Sequence, residues 1–191
     1  STPLEGIAAK MGVSCSDGRV EFEDCDEMSY TGGGNHLVIE ANGSSGNLGY
    51  IHNGDWVAFD EMDFGEGKSK VTFYTGAQNN NPTIVDICLD KRKATPDFRI
   101  TLQPTGSWSS YKEQTFEIDP QMFKGKHKVY FMFRFTGQSY GANMDWMRFS
   151  NSDEVNPLQA DGPLYYVQGC NMSDSKATDL ETAKRFAAKA D

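Results

Sequence analysis

Short runs of β-branched and aromatic residues follow one another along the middle of this chain, each closed by a cluster of Gly, Asn, Asp or Pro. Such runs, regularly spaced with nothing helical between them, are typical of antiparallel sandwiches and jelly rolls and not of parallel βαβ units. Nine runs fit the pattern: residues 19–24, 36–40, 55–60, 70–74, 84–89, 98–103, 113–118, 128–135 and 145–150. The sequence therefore predicts an all-β fold, an antiparallel β-sandwich jelly roll, with aromatic residues such as Phe59, Phe73 and Phe131 in its core.

Composition changes at both ends of this β-rich block. At 191 residues the chain is long enough to bury one well-formed core, but not clearly long enough for two. We predict a jelly-roll domain over 19–151, a linker or the tail of a preceding domain over 1–18, and a C-terminal extension over 152–191. Apolar residues recur at helical spacing within 180–190, which predicts a short helix in that extension.

The charge of the chain bears on its partners. A formal net charge of -9 repels a phosphate backbone, and no run of Lys or Arg offsets that repulsion, so we expect no nucleic-acid partner. No stretch of 18 consecutive apolar residues is present, and we expect no membrane partner. The N-terminal residues lack the basic patch and apolar run of a signal peptide, so we expect a mature or excised fragment.

The four cysteines do not form a CxxC pair, which argues against a zinc or redox motif. Cys15 and Cys25 are bridged or free, since spacing alone does not decide connectivity. Cys88 lies between Ile87 and Leu89 in an apolar run, and we predict a buried core thiol there.

Two glutamates stand in the first run. Strand alternation places Glu21 and Glu23 on one face, roughly 6.5 Å apart, while Val20 and Phe22 point into the core. The pair is either a solvated strand face or half of a calcium site, because calcium takes several carboxylate and carbonyl oxygens. A catalytic pair is disfavoured, because the two carboxyls of a glycosidase flank the scissile bond, whereas these project from one strand.

Four segments, in this order, resemble the family 6 carbohydrate-binding modules that accompany xylanases, arabinofuranosidases, endoglucanases and agarases. The segments are residues 20–24 (VEFED), 46–56 (GNLGYIHNGDW), 105–108 (TGSW) and 143–149 (NMDWMRF). The resemblance covers about residues 19 to 150 and implies a β-sandwich jelly roll. It also implies a secreted, extracellular, non-catalytic module that binds a plant or algal polysaccharide. Xylan and β-glucan are the leading ligands. Its second partner would be a catalytic glycoside hydrolase domain in the same parent chain.

The resemblance implies a structural calcium ion as cofactor. The family binds it with acidic residues of the first strand and an Asp of the last strand. The matching positions here are Glu21, Glu23 and Asp145.

The same resemblance implies a sugar site in the loops at one edge of the sandwich. Two aromatic rings grip the sugar there, matching Tyr50 and Trp108, and Asn143 matches the residue that bonds the sugar hydroxyls. Trp108 lies in a Gly-Ser-Trp-Ser-Ser segment that we predict to be a loop, where an aromatic residue is a signal of function. For Tyr50 the alternative is a buried strand-edge residue. Tyr140, in a further loop, is predicted to add a stacking wall.

Some family members also bind sugar on the concave sheet face through the residue that matches Trp56. Alternation lets Trp56 leave the core if Val57 and Phe59 enter it, with Ala58 leaving room beside the indole. Asp90 is predicted to supply a polar contact there.

The chain departs from the family pattern over residues 30–45, which are longer than usual and lead into the segment that carries Tyr50. We expect this insertion to open, roof or redirect the cleft. A calcium-dependent adhesion or protein-interaction jelly roll is the alternative function. An enzyme is disfavoured, because none of His36, His52 and His127 lies in a catalytic motif.

Overall fold

A computed structural model describes residues 18–30, 36–42 and 45–151, with the backbone alone described at residues 41, 42 and 45. The described residues all belong to one compact unit. The segments predicted for 1–17 and 152–191, including Cys15 and the C-terminal helix, lie outside the described residues. Within the described ranges, no helix is long and apolar enough to cross a membrane.

The described residues form two antiparallel sheets, which confirms the predicted sandwich. One sheet has the strand order β3-β4-β11-β6-β9, with β1 also paired to β11, and the other has the order β2-β5-β10-β7-β8. The strands are β1 Arg19–Glu21, β2 Glu27–Met28, β3 Val38–Asn42, β4 Ser45–Gly49, β5 Trp56–Asp63, β6 Lys70–Ala77, β7 Thr83–Leu89, β8 Phe98–Leu102, β9 Ser107–Glu117, β10 Lys126–Arg134 and β11 Asn143–Ser150.

The core contains a cluster of phenylalanine rings, as predicted. Phe22 packs edge-on against Phe59 and Phe131 at 5.9 and 5.6 Å, and Phe73 meets Phe131 at 6.2 Å. All four side chains are buried. Removing a ring of this size from water contributes about 1.5–3 kcal/mol, so this cluster is a main source of the sandwich's stability.

The first predicted strand is shorter than expected. It ends at Glu21, and a 3-10 helix spans Phe22–Asp24, closed by a 3.3 Å bond from the Cys25 N–H to the Phe22 carbonyl. Strand alternation therefore stops before Glu23, and its predicted position on the same strand face as Glu21 is wrong.

Two strands, β2 and β4, were not predicted. β2 has only two residues, too few to show a pattern. β4 consists mainly of Ser, Gly and Asn, which is turn chemistry by local propensity. Tertiary pairing overrides that propensity, because β4 pairs with β3 along its whole length and the buried Leu48 lies opposite Met144 of β11.

The described cysteines carry free thiols. Cys88 is buried as predicted, but Ile87 and Leu89 face the space between the sheets, so Cys88 faces the other side, with its Sγ 4.0 Å from the Lys93 carbonyl. Burial chiefly, with the charge of Asp26, raises the pKa of Cys25 to about 11, which keeps it protonated at neutral pH.

Candidate functional site

One edge of the sandwich holds a cleft of about 350 Å³. It is lined by Glu40, Tyr50, Trp108, Tyr140 and Asn143. The structure therefore brings together four side chains that the sequence singled out from separate segments, and adds Glu40.

Tyr50 is exposed, which rules out the buried strand-edge alternative. It directly follows β4 with a φ of 51°, and its side chain is 38% exposed. A left-handed backbone costs a residue other than Gly about 1–3 kcal/mol, so the surrounding structure holds it there. Its ring packs edge-on against Tyr140 at 5.4 Å.

The loop that carries Tyr140 is fixed at its base. The Asn79 side-chain amide donates a 2.8 Å hydrogen bond to the Tyr140 carbonyl, and the Gly141 N–H donates one of 2.8 Å to the Ile51 carbonyl. Both bonds fix the backbone that carries the ring before any ligand arrives, which lowers the entropy cost of binding.

The sequence predicted a loop at Trp108, but this residue belongs to the start of β9. However, Thr75 of β6 pairs with Lys112 of β9, and Ala77 pairs with Ser107. The chain therefore advances five residues in β9 where β6 advances two, and the extra residues of β9 bulge out of the sheet. Gly76 lies across from this bulge, and a Cβ there would be only 2.6 Å from the Trp108 carbonyl oxygen. The absence of a side chain at residue 76 therefore allows the bulge that places Trp108 at the cleft.

Asn143 begins β11, and its side chain lies near the Tyr111 hydroxyl. Burial is the main cause of the raised pKa of Tyr111, so its hydroxyl stays protonated over the physiological range. The Asn143 side chain forms part of the wall of the cleft.

Glu40 is the cleft residue that sequence reasoning missed. The Asn47 side-chain amide donates a 2.9 Å hydrogen bond to its Oε2. A Cβ at Gly49 would collide with this carboxylate, so the glycine of the Leu48-Gly49-Tyr50 segment makes room for Glu40. The signal available in the sequence was this glycine, but it is informative only once the pairing of β3 with β4 is known.

Together these groups have the chemistry of a sugar site. Aromatic faces pack against the C–H patches of a pyranose ring, while a carboxylate accepts hydrogen bonds from its hydroxyls and an amide both donates and accepts. Rings and polar groups converge here on one cleft.

A second cluster contains the three predicted metal ligands. One carboxylate oxygen from each of Glu21, Glu23 and Asp145 lies within 4.8 Å of the others. Glu23 reaches the cluster from the 3-10 helix, where the Gly46 N–H donates a 2.6 Å bond to its Oε1. Its Oε2 is buried and has no hydrogen-bond partner among the described residues. Burial, with the charge of Glu23, raises the pKa of Asp145. Three carboxylates suit a hard cation, because such a cation prefers oxygen ligands.

The opposite sheet carries Trp56, half-buried on the outer face of β5. The guanidinium of Arg92 lies 4.3 Å from its ring centroid, and Tyr130 packs beside it at 5.8 Å. Ala58, which was predicted to leave room beside the indole, is fully buried.

The structure does not bring Asp90 to Trp56. Trp56 and Asp86 both lie opposite Met132 of β10, so they share one level of the sheet. Asp90 lies four residues further along, about 13 Å at strand spacing. Its carboxylate instead bonds Nδ1 of His127 at 3.0 Å, in a separate charged depression.

A jelly-roll sandwich with exposed rings and polar groups at one edge defines a sugar-binding module. Residues 27–151 match the family described as carbohydrate binding module (family 6), and the chain belongs to that family, which confirms the resemblance. The family comprises non-catalytic carbohydrate-binding modules.

Curated relatives are modular glycoside hydrolases. The chain is 28% identical over 141 residues to an endo-1,4-beta-xylanase A of Thermoclostridium stercorarium, a match covering 74% of this chain and 20% of that protein. It is also 28% identical over 112 residues to an arabinoxylan arabinofuranohydrolase of Paenibacillus polymyxa, covering 59% of this chain and 17% of that protein. The chain thus spans about a fifth of the length of these relatives.

Solved structures agree with the family. A module from Clostridium stercorarium in complex with cellobiose is 27% identical with a TM-score of 0.58, over 70% of this chain and 93% of that one. A family 6 module from Clostridium cellulolyticum in complex with xylose is 26% identical with a TM-score of 0.58, over 70% of this chain and 96% of that one.

Proposed function

We propose that this chain holds a plant or algal polysaccharide, xylan or β-glucan, in the edge cleft and so targets an attached glycoside hydrolase, in a secreted parent protein, to its substrate. The observation that carries the proposal is the convergence of Tyr50, Trp108 and Tyr140 with two polar side chains on one cleft. The rings supply stacking area, and Asn143 and Glu40 supply orientation. An acidic surface tolerates a neutral chain, because stacking and hydrogen bonding do not depend on net charge.

The relatives support this choice of ligand class. Xylan is named in the activities of the xylanase and the arabinofuranohydrolase, and the two structural neighbours hold xylose and cellobiose. Xylan and β-1,4-linked glucan are therefore the first ligands to test.

The deciding experiment is affinity electrophoresis in gels that contain xylan, β-glucan or agarose. We expect wild-type protein to be retarded in at least one gel and Trp108→Ala to lose that retardation. Trp56→Ala is the matched tryptophan variant on the other sheet, and we expect it to retain the retardation, because Arg92 covers its ring. Retardation of the wild type on no glycan would favour the alternative of an adhesion or protein-interaction domain.

We also propose that Glu21, Glu23 and Asp145 bind a structural calcium ion. The unpartnered Glu23 Oε2 and the proximity of three carboxylates support this, because without a cation they repel one another. The ion would fasten the 3-10 helix to β11, next to the strand that leads into Tyr50.

A further inference from the structure

A strip of rings continues outward from the cleft on the side of Tyr50. Its members, in spatial order, are Tyr50, Tyr140, His52, His36 and Tyr30. Successive ring centroids are 5.4, 5.2, 5.1 and 4.4 Å apart. Each of the five side chains is partly or fully exposed. Only Tyr50 and Tyr140 line the cleft itself, so three rings lie beyond it.

The strip uses the stretch where this chain departs from the family pattern. Tyr30 and His36 belong to residues 30–45, which the sequence comparison predicts to be longer than usual. Tyr30 is half-buried and also packs against the core, whereas the exposed His36 and the half-buried His52 contact other rings of the strip. Tyr30 and His36 therefore add ring surface in continuity with the cleft.

The middle of the strip is held rigidly. His52 opens a turn in which its N–H donates a 2.8 Å bond to the Asp55 carboxylate, while the Asp55 N–H donates one of 3.0 Å to the His52 carbonyl. The Asn53 side chain accepts a 3.0 Å bond from the Phe135 N–H of the neighbouring segment. These bonds fix the backbone that carries the His52 ring, which lowers the entropy cost of ordering this segment when a ligand covers it.

We propose that this ring strip binds further sugar residues of the same polysaccharide chain that occupies the cleft, so that affinity rises with chain length. The inference rests on the proposed function of the cleft. Its occupant follows from continuity, since Tyr50 and Tyr140 belong to both surfaces. Imidazole rings suit this role because they combine ring surface for packing with nitrogens that donate to or accept from hydroxyls, although Nδ1 of His52 is buried, which leaves Nε2 of that ring for a ligand.

The test is titration calorimetry with oligosaccharides of increasing length, from disaccharide to hexasaccharide, of xylose and of β-1,4-linked glucose. We expect wild type to bind the hexasaccharide more tightly than the disaccharide. The double variant His36→Ala/His52→Ala should bind the disaccharide like wild type and the hexasaccharide about two- to tenfold more weakly. His36→Phe/His52→Phe, which keeps the rings, should recover part of that loss.

His127→Ala is the matched control, a histidine outside the strip whose removal should leave hexasaccharide binding unchanged. If the double alanine variant, folded by its circular dichroism, binds the hexasaccharide like wild type, the strip is not a binding surface, although the cleft still is. The same conclusion follows if wild-type affinity does not rise with length. Loss of disaccharide binding in Trp108→Ala shows independently that the cleft functions, so the two proposals fail separately.

Discussion

Two half-buried tryptophans on opposite sheets have different surroundings. Trp108 lies in a bulge of β9 and faces a cleft, whereas Trp56 lies in a regular part of β5 with an arginine over its ring. A tryptophan can hold a sugar only if one face of the indole remains free. The residue type is the same, so the difference comes from the neighbouring backbone and side chains.

The contrast extends to the groups around each ring. Near Trp108, Tyr50 adopts a left-handed backbone and Gly49 leaves space for Glu40, which are local features that cost stability and shape a site. Near Trp56, Ala58 is covered and the Asp86 carboxylate is satisfied by Arg99 at 2.6 and 2.9 Å. The first region opens onto a cleft, and the indole of the second is covered by an arginine.

The largest expected effect comes from removing the bulge that distinguishes Trp108. In Gly76→Val, the new Cβ would meet the Trp108 carbonyl oxygen at 2.6 Å and the Tyr111 ring at 3.1 Å, so the start of β9 has to shift. We expect oligosaccharide affinity to fall to the level of Trp108→Ala and stability to fall by about 1–3 kcal/mol. Calorimetry and urea unfolding measure the two effects. Thr72→Val on the same strand should retain affinity, and undiminished sugar binding by Gly76→Val would refute this account of the bulge.

Calcium removal should affect the cleft side of the molecule more than the Trp56 side. Glu23 accepts a bond from Gly46 of β4, and Asp145 is two residues after Asn143, so the cluster supports both walls that lead to the cleft. At a calcium concentration 100 times the dissociation constant, binding contributes about 2.7 kcal/mol, or roughly 10 °C in melting temperature for a domain of this size.

The measurement is a melting curve with and without a chelator, repeated for Glu23→Gln. We expect chelator to lower the melting temperature of wild type and to change that of the variant little. Glu61→Gln, an exposed acid outside the cluster, should respond like wild type. An unchanged wild-type melting temperature in chelator would exclude a stabilising metal.

The strands with clear alternation could be predicted from the sequence, because their apolar residues pack at period two between the sheets. β7, predicted at 84–89, is Thr83–Leu89, and β8, predicted at 98–103, is Phe98–Leu102. β4 could not be predicted, because its Ser, Gly and Asn form a strand only through pairing with β3 and β11. The 3-10 helix at Phe22–Asp24 also escaped, because its buried phenylalanine fits either structure.

The residues that line the cleft also divide into those that the sequence pattern predicted and those that depend on tertiary structure. Tyr50, Trp108 and Asn143 were found because they fall in segments with recognisable order and spacing. Glu40 was missed, since its place in the cleft depends on the space above Gly49, which is a tertiary feature. The cover over Trp56 was missed for a similar reason, because Arg92 lies in a connecting segment whose path the sequence does not reveal.

The smallest expected effect, and the sharpest test of the comparison, comes from uncovering Trp56. Arg92→Ala removes the guanidinium from the indole and exposes one face of the ring. The lost cation–π contact is worth about 0.5–1 kcal/mol at an exposed position, so the fold should persist. If the arginine over the Trp56 ring is the only reason that Trp56 does not bind sugar, we expect the variant to gain a second, weak sugar site. Affinity at the cleft should stay the same.

Calorimetry with a hexasaccharide resolves this as a second, weaker binding event that is absent from wild type and from Arg92→Ala/Trp56→Ala. Lys91→Ala, one residue away in the same segment, controls for the loss of a positive charge. Should Arg92→Ala still bind one equivalent, removing the cover is not sufficient. The distinction between the two sheets would then lie in polar groups such as Asn143 and Glu40, because the Asp86 carboxylate near Trp56 is already bonded to Arg99.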